Sequence, residues 1–297
     1  MIVTGEKKRN TPNRMIRYYD IPVDNIDPKT VASFGEEWTA FHDFSAKDIQ
    51  SLGDKYFDIV SSSMLNENSN VIDIGCGSGR FILYLKGRYH RITGIDPSDA
   101  ILVADKLLGS EPDIDLVKTS TDNLPFPDDH FDFGYSLGVL HHIPDTQKAL
   151  VDCVKKIKPG GYFLLYLYYN LDNRSFLAKV LFHCSNLLRM IISRIPKGLK
   201  KFSCDLLAVL LYLPFVGFCH LLRWAGVPLR IRKYFPLQAY EDQRFYIFRN
   251  DCYDRFGTPL EKRFSRKKMA EMMKSAGLTD IRFSENIPFW HAVGKKA

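Results

Sequence analysis

The chain has 297 residues with an ordinary hydrophobic fraction of 45%, which excludes a largely disordered protein. Its six cysteines include no C-x-x-C pair, which argues against a zinc site or redox dithiol and favours the cytoplasm; residues 1–14 also lack a signal-peptide core. The net charge of +7 is uneven, because residues 171–270 hold 19 Lys and Arg against 7 Asp and Glu, and the remainder holds 22 against 27.

Residues 67–170 alternate between predicted strands and helices. The predicted elements in chain order are the strand NVIDIG, the helix RFILYLKGR, the strand RITGID, the helix SDAILVADKLLG, the strands DIDLVK and FDFGYSL, the helix TQKALVDCVKKI and the strand GGYFLLYLYY. Pro159, Gly160 and Gly161 are expected to stop the helix before the fifth strand. This order predicts a doubly wound α/β domain, whose ligand binds beyond the carboxyl ends of the strands.

A glycine-rich turn follows the first of these strands. Gly75, Gly77 and Gly79 form a G-x-G-x-G pattern, which by itself is a weak signal for a bound nucleotide. Asp73, just before the turn, would repel a pyrophosphate and attract a cationic ammonium group. Asp96 ends the next strand, where an acid can accept both hydroxyls of a ribose. An adenosine that bears an amino acid satisfies both carboxylates.

Four segments in order, VIDIGCGSGR, ITGIDPS, LPFPDDHFDFGYSLGVLHHIPD and IKPGGYFLLY, resemble the motifs of class I S-adenosylmethionine-dependent methyltransferases with a type 11 domain. The resemblance implies a Rossmann-like, seven-stranded, mostly parallel sheet with a helical cap inserted after the fifth strand, and S-adenosylmethionine as cofactor. The cofactor-binding residues that it implies are Asp73, Gly75, Cys76, Gly77, Gly79, Asp96, Pro97, Ser120, Thr121 and Leu137. Many relatives carry an acid in place of Ser120, and Asp122 is out of register to replace it.

Two adjacent histidines, His141 and His142, follow the fourth strand of this domain. Methyl transfer depends mainly on alignment, and a base is needed only when the acceptor carries an acidic proton. If the acceptor is a hydroxyl, either histidine is a candidate catalytic base; if it is carbon or an amine, the histidine would only orient it. A hydrogen-bonded structural role stays open for both, and Tyr166, Tyr168 and Asn170 are further candidates to line the pocket.

Residues 171–255 are a basic, apolar insertion. An amphipathic helix is predicted within 174–195, and residues 206–222 form a run without charge that Pro214 and Gly217 are expected to interrupt. Lys197, Lys200 and Lys201 precede this run. Three interpretations stay open: a buried cap, which is favoured, an element at a lipid interface, and a membrane span.

The ends of the chain are predicted to frame this domain. Residues 1–66 are expected to form a helical segment and cap, in which SFG-x-EW-x-x-F resembles methyltransferases found with bacterial surface-glycan or secondary-metabolite genes. Trp38 and Phe41 could close over the cofactor there. Residues 256–297 are predicted to form a helix capped by Ser265, with Met269, Met272 and Met273 on one face, and the last two strands.

The sequence therefore favours S-adenosylmethionine-dependent methyl transfer to a small or lipid-linked acceptor, with O-methylation of a sugar or related hydroxyl preferred. The alternatives are an RNA methyltransferase and a catalytically inactive cofactor-binding protein. Nucleic acid is disfavoured because the basic residues alternate with aliphatic runs and no RNA-binding module is recognisable. We expect a cytoplasmic protein that associates weakly with the anionic inner membrane face, and no metal site.

Overall fold

The chain divides into two structural units. The computed structural model describes residues 6–21, 24–40, 44–173, 176–232, 235 and 237–297. Unit 1 comprises Met1–Asn173 and Leu260–Ala297, and unit 2 comprises Arg174–Pro259.

A single mixed sheet forms the centre of unit 1. Its strands are β1 (Lys7–Asn10), β2 (Met15–Tyr18), β3 (Asn70–Ile74), β4 (Arg91–Asp96), β5 (Ile114–Lys118), β6 (Phe131–Leu137), β7 (Ile157–Tyr166), β8 (Leu278–Phe283) and β9 (His291–Lys296). The strand order is β1-β2-β5-β4-β3-β6-β7-β9-β8. The strands from β2 to β7 pair in parallel, whereas β1, β9 and β8 run antiparallel to their neighbours. The predicted doubly wound α/β fold is confirmed.

The sheet has nine strands among the described residues rather than the predicted seven. The two additional strands, β1 and β2, form a hairpin in the segment that was predicted to be helical, and that expectation is wrong for residues 7–18. All four residues of β1 are exposed, so the sequence carries no alternating apolar pattern there. Ile16 is fully buried and anchors β2 beside β5, so a tertiary contact decides the hairpin.

The helices cover both faces of the sheet in unit 1 and build unit 2. They are α1 (Pro28–Ala40), α2 (Ala46–Tyr56), α3 (Arg80–Tyr84), α4 (Ala100–Leu108), α5 (Thr146–Lys155), α6 (Phe176–Ile192), α7 (Lys197–Leu207), α8 (Leu213–Trp224), α9 (Leu229–Arg232), α10 (Phe245–Gly257) and α11 (Arg266–Ser275). The predicted cap of α11 is confirmed, since the N–H of Lys268 donates to Ser265 Oγ at 3.0 Å and its three methionines are buried.

Two apolar layers lie on opposite faces of this sheet. Successive residues of β3 illustrate the alternation of a strand: Val71 belongs to one layer, and Ile72 and Ile74 belong to the other. Because both layers are buried, the parallel strands read as continuous apolar runs. Pro159 and the two glycines after it do not stop the helix as predicted, because α5 already ends at Lys155; they form an irregularity inside β7, where the pairing register with β6 shifts.

Unit 2 contains one long helical segment. Helices α7 and α8 are joined without a break by a π-helical turn, Ala208–Tyr212, so the expectation that Pro214 and Gly217 interrupt the helix is wrong. The N–H of Leu213 donates to the carbonyl of Ala208, five residues earlier, and Pro214, which has no N–H to donate, follows directly after this π-helical turn. Residues Gly198–Trp224 are long and apolar enough to cross a membrane by length and composition alone.

One narrow stripe of this long helix is buried. The stripe consists of Lys200, Cys204, Ala208, Tyr212, Val216 and Cys219. Lys200, which the sequence placed among the basic residues flanking the apolar run, is therefore not a surface charge. The rest of the helix is mostly exposed, since only 28% of its most apolar 18-residue window is buried.

Candidate functional site

The backbone of the turn after β3 requires glycine at two positions, Gly75 and Gly77. Gly75 and Gly77 have φ angles of 79° and 54°, in a region that residues with a side chain seldom adopt. A Cβ atom on Gly75 would lie 2.5 Å from Cγ2 of Val139, which belongs to the loop after β6. The two loops therefore meet at the carboxyl ends of β3 and β6, which is the switch point of the sheet and the usual ligand position in such folds.

Asp73 lies at this position as a buried carboxyl group. The hydroxyl of Tyr135 donates a hydrogen bond to Asp73 Oδ2 at 3.0 Å. Burial raises the pKa of Asp73 to about 8, although the Tyr135 hydrogen bond opposes this shift. The group is therefore mostly protonated at neutral pH, and a cationic ammonium group placed beside it would favour the ionised form.

Asp96, at the end of β4, holds the glycine turn from the neighbouring strand. Its Oδ2 accepts from the N–H of Gly77 at 3.0 Å, and its Oδ1 accepts from the N–H and hydroxyl of Ser98 at 2.8 and 2.6 Å. Burial raises the pKa of Asp96, and these hydrogen bonds oppose that shift. Oδ1 therefore has both of its lone pairs engaged, whereas Oδ2 retains one for a further donor, such as a ribose hydroxyl.

Helix α1 covers the glycine turn. A Cβ atom on Gly77 would lie 3.1 Å from the indole of Trp38, and the Arg80 guanidinium lies 4.6 Å from the centre of that indole. Trp38 therefore lies beside the glycine turn, and its closing over a cofactor stays a prediction. Phe41, its suggested companion, lies outside the described residues.

The loop after β5 carries the predicted adenine contacts. Ser120 and Thr121 are both buried, and the Ser120 hydroxyl donates to Asp122 Oδ1 at 2.5 Å. The N–H of Asn25 donates to the other oxygen of Asp122 at 3.3 Å. Asp122, which is out of register in the sequence to replace the acid of the relatives, therefore accepts a hydrogen bond from Ser120.

The remaining predicted cofactor residues lie around the same edge of the sheet. Cys76 is buried in the glycine turn, Pro97 directly follows β4, and Leu137 is the last residue of β6. Ser78 supplies a test of fit, because its buried hydroxyl has no hydrogen-bond partner among the described residues. An unpaired buried hydroxyl, two carboxyl groups and a glycine-rich turn suit a ligand that is both cationic and rich in hydroxyls.

The two histidines after β6 are buried and differ in their hydrogen bonds. His142 Nδ1 lies 2.7 Å from the carbonyl oxygen of Leu260, which can only accept, so Nδ1 carries the proton and Nε2 is an acceptor. His141 Nδ1 accepts from the N–H of Tyr168 at 3.4 Å, which places the proton of a neutral ring on Nε2. Burial lowers the pKa of His141 well below its ordinary value, and His142 and Arg263 add to this shift.

Residues that follow β7 and residues that follow unit 2 in the chain surround the two histidines. The ring of Tyr168 stacks on His141 with centres 4.0 Å apart, and the Arg263 guanidinium lies 5.0 Å from the Tyr168 ring. Of the other predicted lining residues, Tyr166 packs against Tyr56, and the N–H of Asn170 donates to the carbonyl of Phe264.

Sequence reasoning missed the partners of the predicted residues. Leu260 and Arg263 are far from the histidines in the chain and carry no local signal. Tyr135 is one of several aromatic residues in a strand that reads as core. Ser98 was detectable, since an Asp followed two residues later by Ser is a local hydrogen-bonding turn.

Comparison with known families identifies the central part of unit 1. A family model described as a methyltransferase domain matches residues 72–165, from β3 into β7. This range contains the glycine turn, both carboxyl groups and both histidines.

Three curated proteins illustrate the range of relatives. A sterol 4-C-methyltransferase of Caenorhabditis elegans is 31% identical over 106 residues, which cover 34% of this chain and 32% of that protein. A phthiotriol/phenolphthiotriol dimycocerosates methyltransferase of Mycobacterium tuberculosis is 33% identical over 95 residues, which cover 31% of this chain and 35% of that protein. A ubiquinone biosynthesis O-methyltransferase of Hahella chejuensis is 26% identical over 166 residues, which cover 54% and 68%. The chain spans about a third of the length of the first two relatives.

Proposed function

Because residues 72–165 form a class I S-adenosylmethionine-dependent methyltransferase domain, we propose that the chain transfers a methyl group to a hydroxyl of a small or lipid-linked acceptor, such as a sugar.

The cofactor site divides into two ends. S-adenosylmethionine, when bound, supplies a methyl group on a positively charged sulfur; a nucleophile in line with the carbon–sulfur bond takes the methyl group, and the sulfur leaves as a neutral thioether. Asp73 would hold the ammonium of the methionine portion, and Asp96 Oδ2 would accept from a ribose hydroxyl. Ser120 and Thr121 would lie beside the adenine, while Trp38 on α1 excludes water from the glycine turn.

The hydrogen bond of His142 carries the proposal of a hydroxyl acceptor. With its Nδ1 proton donated to Leu260, the ring presents the Nε2 lone pair as a base, and it belongs to the loop that meets the glycine turn. Nε2 would take the proton of the acceptor hydroxyl as the oxygen attacks the methyl carbon. The resulting imidazolium is stabilised by the Leu260 carbonyl, which continues to accept from Nδ1.

His141 is suited to a different task. Its Nε2–H has no hydrogen-bond partner among the described residues and is buried, so it is a donor in need of an acceptor atom. It would donate to an oxygen of the bound acceptor and orient it. The two adjacent histidines thereby receive opposite roles, one as base and one as hydrogen-bond donor.

The names of the relatives support a small or lipid-linked acceptor, but they differ in the acceptor atom. One names transfer to C-4 of a sterol, one names phthiotriol or phenolphthiotriol dimycocerosates, and one names O-methylation in ubiquinone biosynthesis.

The proposal is tested with S-adenosylmethionine labelled in the methyl group and fractionated cell extracts as acceptors. We expect label in a lipid or small-molecule fraction, bound as a methyl ether that hydriodic acid releases as methyl iodide. Label that resists this cleavage would show transfer to carbon or nitrogen and overturn the hydroxyl acceptor. Label in RNA, or cofactor binding without any transfer, would replace the proposal by one of the two alternatives.

A further inference from the structure

Unit 2 exposes apolar side chains to an extent that unit 1 does not. Among the described residues, the large hydrophobic side chains that are exposed number one in unit 1, Met15, and 20 in unit 2. On the long helix Gly198–Trp224 they are Leu199, Phe202, Leu206, Val209, Leu210, Leu213, Phe215, Phe218, Leu221 and Trp224. Large exposed apolar surfaces on a folded protein typically mark a site of interaction with a protein or a membrane.

The exposed residues of α6 follow the period of a helix. Phe176, Val180, Leu187 and Ile191 are separated by four, seven and four residues and form one stripe, in which Phe176 is 82% exposed. An amphipathic helix that packed its apolar stripe inward would show the opposite pattern. The apolar stripe of α6 is therefore directed outward.

Positive charge accompanies this apolar surface. Residues 174–232 contain ten Lys and Arg and a single acid, Asp205. Arg194, Lys201 and Arg230 are exposed, and no carboxylate in the described part of the chain pairs with them. Asp205 is already paired with Arg249 at 2.6 Å. The surface thus offers unpaired cations beside aliphatic and aromatic side chains.

From these observations we infer that unit 2 binds the surface of an anionic lipid bilayer. Aliphatic side chains enter the acyl boundary, and Arg194, Lys201 and Arg230 attract the anionic headgroups. Trp224, which ends α8 and is 86% exposed, is the residue type that prefers the interface between membrane and water.

The packing of the long helix requires that unit 2 lies on the bilayer and does not span it. The inward side of the helix faces α10, which carries Arg249, Asp251, Asp254 and Arg255. Asp205 and Arg249 pair across this contact, and the Tyr240 hydroxyl donates to Asp251 at 2.6 Å. Carrying these groups into hydrocarbon is costly, whereas an interfacial position leaves them on the aqueous side.

The experiment is co-sedimentation of the full chain with vesicles of phosphatidylcholine, with and without phosphatidylglycerol, at low and high ionic strength. We expect binding to the anionic vesicles at low salt, a marked decrease at high salt, and weaker binding to neutral vesicles. Equal binding to both kinds of vesicle, or none at low salt, would overturn the inference. Material that needs detergent for release would indicate a span and overturn the interfacial position.

Two variants separate the apolar and the charged contributions. The triple variant Arg194→Glu, Lys201→Glu, Arg230→Glu is expected to weaken vesicle binding about a hundredfold or more. The triple variant Leu210→Ser, Leu213→Ser, Phe218→Ser is expected to weaken it about tenfold or more. The charge variant keeps the apolar residues, so it provides a test even if the serine variant folds poorly.

Matched controls place the same changes in unit 1. Met15→Ser controls for the loss of an exposed apolar side chain, and Lys106→Glu, Lys267→Glu, Lys274→Glu controls for the change in net charge. Both controls should keep wild-type vesicle binding. Equal losses in the controls would show that the location of the residues is irrelevant and overturn the inference. So would a discrete dimer in solution that the serine variant dissociates and that ignores vesicles, because a second copy would then cover this face.

Discussion

Units 1 and 2 use their apolar residues in opposite ways. Unit 1 buries them in two layers around a sheet, and its carboxyl groups and histidines lie at or just beyond the carboxyl ends of the central strands. Unit 2 buries a narrow stripe of its long helix and leaves most of the apolar surface outside. The difference indicates that unit 1 carries the methyl transfer and that unit 2 carries the membrane binding. Variants in unit 1 should therefore leave vesicle binding unchanged, and variants in unit 2 should leave cofactor binding and turnover unchanged.

The largest effect in unit 1 is expected for His142→Ala. Removal of the proposed base should lower kcat about a hundredfold or more, with little change in the affinity for S-adenosylmethionine. His141→Ala is the matched control, since it removes the neighbouring donor, and its loss should be smaller. Turnover measured with methyl-labelled cofactor decides between them; the reverse order of the two losses would exchange their roles, and two near-native rates would exclude a histidine base.

The next effect concerns Asp96 and the cofactor. Asp96→Ala should weaken S-adenosylmethionine binding by about 1.5 to 3 kcal/mol, or roughly 10- to 150-fold in Kd, because the ribose and the Gly77 N–H both lose their acceptor. Asp105→Ala is the control, as Asp105 is also a buried acid of unit 1 but pairs with Arg14. Calorimetric titration should show a loss in the first variant only. An unchanged Kd in a folded Asp96→Ala protein would contradict the role of this residue.

Asp73 should make the stability of unit 1 depend on pH. The carboxyl group titrates near 3.8 when unfolded and near 8 when folded, so between these values the folded state keeps a proton that the unfolded state has lost. The free energy of unfolding therefore falls as pH rises through this window, by up to ~1.4 kcal/mol per pH unit for one such group. Urea denaturation at several pH values should show this fall for the wild type relative to Asp73→Asn. Parallel curves for the two proteins would mean that Asp73 is not protonated in the folded state.

The smallest effect on stability and on cofactor affinity is expected for Leu210→Ser in unit 2. Leu210→Ser changes an exposed side chain of unit 2, so the free energy of unfolding should stay within about 0.5 kcal/mol of the wild type and the cofactor affinity should not change. Chemical denaturation and calorimetric titration measure the two quantities. A loss of more than about 2 kcal/mol, the size found for a buried Leu, would show that this face is packed and remove the contrast between the units.

Local patterns explain why much of unit 1 was predictable. Each of the strands β3 to β7 is a short apolar run, and the glycines directly follow β3, so each of these elements can be predicted from its own few residues. The hairpin β1–β2 was not predictable in this way, because Ile16 becomes a core residue only through its position beside β5. The same holds for Lys200, whose burial depends on which face of the long helix packs inward.

The sequence by itself determined the α/β class of the core, the methyltransferase motifs and the coincidence of apolar and basic residues in the insertion, because these depend on composition and short-range spacing. Only the tertiary structure decided the proton positions on the two histidines, since Leu260 and the Tyr168 N–H reach them from distant parts of the chain. It also decided that the helix continues through Pro214, because a π-helical turn, in which the N–H of Leu213 donates to Ala208, directly precedes that residue. Hydrogen bonds and packing contacts between residues that are distant in the chain are properties of the folded protein, and no local pattern encodes them.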